Sequence, residues 1–173
     1  MAQTTGAMNT VDAQIEISAN GTTWYDISGS TNKLEAPTQT ADTGSAATLD
    51  GQYKLTKAGK LNPMELSLMI LYTEVADEAF RLLETQWALA GRPLYVRWIP
   101  SRGTGNFVYT TANAAGAAAA GIITQLTLPG ADAETASPTL LAFRVLVTRI
   151  LRSTNNPSPS LSPSASASPS PSS

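Results

Sequence analysis

Apolar and polar residues alternate along this chain in short runs separated by turn-forming residues. In AQIEIS, Ile15 and Ile17 fall on one side and Gln14, Glu16 and Ser18 on the other, the period of a half-buried strand. ANGTTWYDIS follows, and its Asn20-Gly21 pair ahead of Trp24, Tyr25 and Ile27 predicts a β-hairpin. KLEAPTQT is a further strand whose Pro37 favours an edge or a bulge. QYKLT alternates again, and MELSLMILY begins after Pro63. PLYVRWIP, NFVYTT, GIITQLTLP and TLLAFRVLVTRI complete the series, the last a single long strand with Leu141, Phe143, Val145 and Val147 on one face.

One stretch breaks the period of two. In TEVADEAFRLLETQWALAG, Ala76, Phe80, Leu83, Trp87 and Ala90 recur at helical spacing and form one apolar stripe. This predicts a helix over about residues 74–90, buried against a sheet through Phe80, Leu83 and Trp87. Thr73 is placed to cap it, and Glu74, Asp77 and Glu78 bring negative charge to its dipole-positive end. Gly91 and Pro93 stop it. Many short strands around one helix define an α+β, mainly β, class: a β-sandwich or barrel-like domain with one flanking helix.

Two segments fit no element. ADTGSAATLDGQYKLTKAGK, residues 41–60, reads as a long polar hairpin loop, and loops longer than about 12–15 residues are usually functional or disordered. From Ser153 the chain is STNNPSPSLSPSASASPSPSS, with no charge and almost nothing apolar to offset chain entropy. The expected organisation is a folded unit over residues 1–152 and an extended or disordered Ser/Pro-rich tail over 153–173. NAAGAAAAG reads as a flexible connection.

Composition narrows the chemistry. Of 173 residues, 42% are hydrophobic and only 14% charged, against roughly 25% in ordinary soluble domains. So little charge suggests a surface covered by partners, or simply the bias of the Ala/Ser/Pro stretches. The net charge of −2 gives no basic field to draw in nucleic acid. Cysteine and histidine are both absent, which removes thiolate catalysis, cysteine zinc sites and the Ser-His-Asp arrangement. No second carboxylate is placed to work with Glu65, which reads instead as a partner for a lysine of the preceding loop. GAAAAG lacks the Lys-Ser/Thr of a phosphate loop, and GTG at Gly103–Gly105 lacks a third glycine. Trp24, Trp87 and Trp98 fall on expected core faces. Lys54, Lys57 and Lys60, with Asp42 and Asp50 upstream, form the one basic cluster, read either as a solvated face or as a charged contact to another subunit. The expectation is no enzyme, no cofactor and no metal. MAQTTGAMNT has neither the charged nor the apolar region of a secretory signal, and no run is long enough to cross a bilayer, so a soluble chain made in the cytoplasm is expected.

Taken in order, TWYDISG, the long polar segment ending in LTKAGK, MELSLMILYTEVADEAFRLLETQW, PLYVRWIP, GIITQLTLPGADA and FRVLVTRI resemble the major tail protein of long-tailed bacteriophages, over roughly residues 10–151. The resemblance implies a barrel-like subunit that assembles as hexameric rings, stacked into a hollow tail tube through which DNA is delivered. It implies edge-to-edge strand pairing between subunits, which removes exposed strand edges. It implies that the loop over residues 41–60 grips the neighbouring ring, with Asp42, Asp50, Lys54, Lys57 and Lys60 as contact residues. The implied partners are further copies of the chain, a tape-measure protein, a tail terminator and baseplate or tip proteins, with DNA only in transit and no membrane insertion. The implied location is the virion tail, built in the host cytoplasm. An acidic subunit suits such a conduit, since a negatively lined lumen does not retain phosphates. Two alternatives stand beside it: the tube subunit of a contractile injection system, and a β-sandwich carbohydrate- or surface-binding module carrying a Ser/Pro spacer.

Overall fold

The computed structural model describes residues 10–47, 49, 53–101, 107–113, 115–130 and 138–153. The alternating runs fold as β1 (Gln14–Ser18), β2 (Tyr25–Asp26), β3 (Thr31–Glu35), β4 (Ala41–Ala46), β5 (Leu55–Leu61), β6 (Met64–Leu71), β7 (Pro93–Ile99), β8 (Val108–Ala112), β9 (Gly121–Leu126), β10 (Leu140–Val147) and β11 (Arg149–Ser153). The helix α1 (Ala79–Ala88) lies between β6 and β7. The Ser/Pro segment 154–173 and the GTG of residues 103–105 lie outside the described residues.

The sheet branches at β7. One edge of β7 takes β1 along its whole length, from Ser18 opposite Tyr95 to Gln14 opposite Ile99. The other edge is divided: Pro93 and Leu94 pair with β9, whereas Arg97 and Trp98 pair with β8. Two leaves diverge from this strand. The first runs β2-β1-β7-β8-β11 and the second β9-β10-β6-β3. They do not close into a barrel.

Period-two alternation accounts for what the leaves bury. Met64, Leu66, Leu68 and Ile70 of β6 and Leu141, Phe143, Val145 and Val147 of β10 point into one core with Ile15, Ile17, Val96 and Trp98 of the first leaf. Fully burying each such side chain stabilises the fold by about 1.5–3 kcal/mol. β9 enters this core closely: a Cβ on Gly121 would stand 2.5 Å from Val145 Cγ1, so only glycine fits. The second glycine of GAAAAG is there for packing.

Four readings of the sequence change. The run over residues 139–150 is two strands, divided at Thr148, whose hydroxyl donates to the Ala112 carbonyl at 2.7 Å. β10 belongs to the second leaf and β11 pairs with β8 in the first, so the chain crosses between leaves there. The helix starts at Ala79, not near Glu74, because Asp77 takes a left-handed conformation with φ 66° and Glu78 occupies the N-cap position. Thr73 donates to the Glu78 carboxylate and caps no backbone group. Ala76 and Ala90 therefore fall outside the helix and are exposed. Trp24 is only half-buried. The largest change concerns residues 41–60, where β4 and β5 form an antiparallel ladder from Ala41–Leu61 to Ala46–Leu55. Most of the expected loop is regular strand.

On α1, Ala79, Phe80 and Leu83 are buried in the core and Phe80 meets Tyr72 edge to face, ring centroids 5.0 Å apart. Trp87 is partly buried against that core, with the Arg92 guanidinium 3.9 Å from its ring centroid.

Candidate assembly surfaces

The β4–β5 hairpin is a sheet of its own. Every residue of both strands is exposed. At its root the Asn62 amide N–H donates to the Thr40 carbonyl at 2.9 Å and Asn62 Nδ2 donates to Asp42 Oδ1 at 3.1 Å, bonds that join its two arms to each other. Tyr53, Leu55 and Leu61 stand more than half exposed on or beside it. Lys57 lies opposite Gly44 in the ladder, Lys60 lies further along β5 and Lys54 just before it. No carboxylate among the described residues pairs with these lysines. Asp42 is held by Asn62, and Asp50 lies outside the described residues. An isolated two-stranded hairpin is marginal in water, and this one buries nothing of its own.

The second leaf leaves its outer face open. Lys33 and Glu35 of β3, Glu65 of β6 and Arg144 of β10 stand on that side. Lys33 Nζ donates to Glu35 Oε1 at 2.5 Å, and Arg144 Nη1 donates to Glu65 Oε1 at 2.9 Å. Glu65 thus pairs with an arginine of the adjacent strand, not with a lysine of the hairpin. The expected edge position of KLEAPTQT is where β3 lies: it ends the second leaf and pairs with β6 alone among the described strands.

The outer side of the first leaf holds an ion pair that alternation does not reveal. Glu16 and Arg97 face each other in the β1–β7 ladder, and the Arg97 Nε–H donates to the Glu16 carboxylate. Their side chains are only 1% and 10% exposed, whereas polar positions of an alternating strand are read as solvent-facing. Trp24 covers the guanidinium, its ring centroid 4.2 Å from Arg97 Cζ. The signal in the sequence was the aromatic Trp24 just after the Asn20-Gly21 turn, which brings it back over β1.

Where the leaves part, clefts of about 400 and 450 Å³ share Ala36, Trp98 and Pro100. Neither cleft has a carboxylate in its lining. Among the described residues no three His, Cys, Asp or Glu side chains are grouped to hold a metal ion, and no helix is long and apolar enough to cross a membrane. The prominent features are an unsupported hairpin, an open sheet face and a strand edge.

No family model matches this sequence, and comparison with curated proteins gives no match. Solved structures do match. A chain of an extracellular contractile injection system, in the PVC sheath–tube complex in its extended state, aligns with a TM-score of 0.66 at 11% identity, covering 87% of this chain and 94% of that one. A chain of the PVC sheath/tube terminator gives 0.63 at 11% identity over 85% and 96%. A chain from the tail of an empty GTA particle, refined helically with C6 symmetry, gives 0.57 at 15% identity over 87% and 100%. The chain has the fold found in these tube and tail assemblies. It is a mostly β fold with a single helix among the described residues, as the resemblance to phage tail proteins implied.

Proposed function

We propose that this chain is a structural subunit of a phage tail tube: six copies form a ring and rings stack into a hollow conduit for DNA. The observation that carries this reading is the pairing of a branched two-leaf sheet with a hairpin that buries nothing in its own subunit, on a fold matched over most of its length by chains of tube and tail assemblies. The open strand β3 would continue the second leaf into the neighbouring subunit, satisfying its free backbone groups. The outer face of that leaf would then line the lumen. The hairpin, with Asp42, Asp50, Lys54, Lys57 and Lys60, would reach the next ring. Residues 1–152 form the tube unit in this reading, with the Ser/Pro segment 153–173 appended to it.

The role is non-enzymatic. Its partners are further copies of the chain, a tape-measure protein, a terminator at one end and baseplate or tip proteins at the other, in a virion tail assembled in the host cytoplasm. A tube inside a contractile sheath is the second reading, favoured by matches to contractile injection assemblies. Electron microscopy of the purified protein, alone and with an initiating complex, tests both. Rings or hollow tubes are expected. An 18.1 kDa species at every concentration, with no tubes after initiation, contradicts them. Co-assembly with a sheath protein separates the second reading from the first.

A further inference from the structure

The outer face of the second leaf has an unusual charge arrangement. In register, Glu35 stands beside Ser67, Ser67 beside Arg144 and Arg144 beside Gln125, a single row across β3, β6, β10 and β9. Lys33 lies two residues before Glu35 on the same strand, and Glu65 two before Ser67. The face therefore sets two cations among two carboxylates, each cation already hydrogen-bonded to a carboxylate oxygen. The neighbouring outward positions, Met69, Ala142, Leu146, Ile122 and Thr124, are uncharged.

Fold stability does not account for this. All four side chains are about half exposed, and exposed pairs contribute roughly 0–1 kcal/mol. What the pairs change is how the face meets a passing polyanion. A bare lysine or arginine here would be a phosphate contact, bidentate for Arg144, and a ring of subunits would multiply it into a basic belt. We propose that Glu35 and Glu65 act as masks, occupying Lys33 and Arg144 so that this face exerts no net pull on nucleic acid. The lumen expected from composition to be negative is, on this face, neutral by pairing. That the face lines a lumen rests on the tube reading, whereas its charge masking can be measured on the subunit alone.

The test uses the full chain and a fluorescently labelled single-stranded oligodeoxynucleotide, with anisotropy read at low salt. The unaltered protein is expected to leave the probe free. The Glu35→Gln/Glu65→Gln variant is expected to bind it, with affinity falling about 25-fold for a tenfold rise in salt, as two freed cations on a single strand require. Adding Lys33→Gln and Arg144→Gln should abolish the gain. The proposal is overturned if the unaltered protein binds as tightly as the double variant, or if the double variant gains nothing. It is equally overturned if the quadruple variant still binds, since the hairpin lysines would then be responsible. Glu35→Gln and Glu65→Gln singly should each give a partial gain, so one poorly folding variant does not stall the comparison. A chain that never forms tubes but unmasks as described keeps the mask and loses the lumen.

Discussion

Arg97 and Glu16 meet across the β1–β7 ladder with both side chains almost out of water and Trp24 lying over the guanidinium. Removing one partner leaves the other as an uncompensated buried charge, so Arg97→Ala should cost about 3–5 kcal/mol in denaturant unfolding. Replacing both with methionine should recover most of that loss, because two apolar groups need no desolvation. A double variant as unstable as the single one would place the cost in packing. At the exposed Glu35, the Lys33 hydrogen bond and charge, with Arg144 adding to them, hold the carboxyl below its ordinary value. A lowered folded-state pKa means the pairing stabilises above the unfolded pKa and is lost as pH falls through the folded one. Lys33→Ala should therefore move the Glu35 carboxyl titration, followed by NMR, back upward. An unmoved titration would show that Lys33 does not hold it.

At the scale of elements, the β4–β5 hairpin separates fold from assembly. None of its strand residues is buried, so replacing residues 42–60 with an Asn-Gly turn should leave the melting temperature of the subunit within a degree or two. The same replacement should abolish tube growth in electron micrographs; tubes of normal length would exclude the hairpin as the ring-to-ring contact. Its strand character was only partly legible, because Gly44, Ser45 and Ala46 have weak strand propensity and no apolar face to bury. The core strands were legible for the opposite reason: in β6 and β10 every second residue is apolar and buried. The division at Thr148 was not: Arg149 interrupts the inward apolar series, but a charged residue near a strand end fits one strand as well as two, and only pairing with β8 reveals the change of leaf. The late helix start was hidden as well. Glu74, Asp77 and Glu78 suit a first turn electrostatically, yet the left-handed Asp77 ends the loop there. The roles of the exposed Lys33 and Arg144 and of the buried Arg97 were not legible, because each acts through a partner on another position or strand, and spacing along the chain does not encode that.

At the scale of the molecule, the core is drawn from both leaves and α1, and among the described residues beyond Val147 only the partly buried Ile150 packs against it. Deleting residues 154–173 should leave the unfolding transition of the subunit unchanged in calorimetry. A fall of several degrees would show that the segment supports the fold. Assembly and stability would then be separable at both the hairpin and the tail, while Arg97 and the leaf cores govern folding alone.

A hairpin that buries nothing in its own subunit has a kinetic consequence. Two free subunits that meet must both order their contacts for a small shared area, and that entropy opposes the pair. A subunit arriving at a finished ring meets several prepared neighbours at once and gains far more for the same ordering. Growth should therefore show a lag that a preformed end removes, and a threshold concentration below which subunits remain single. Length control would then rest with whatever supplies the first ring.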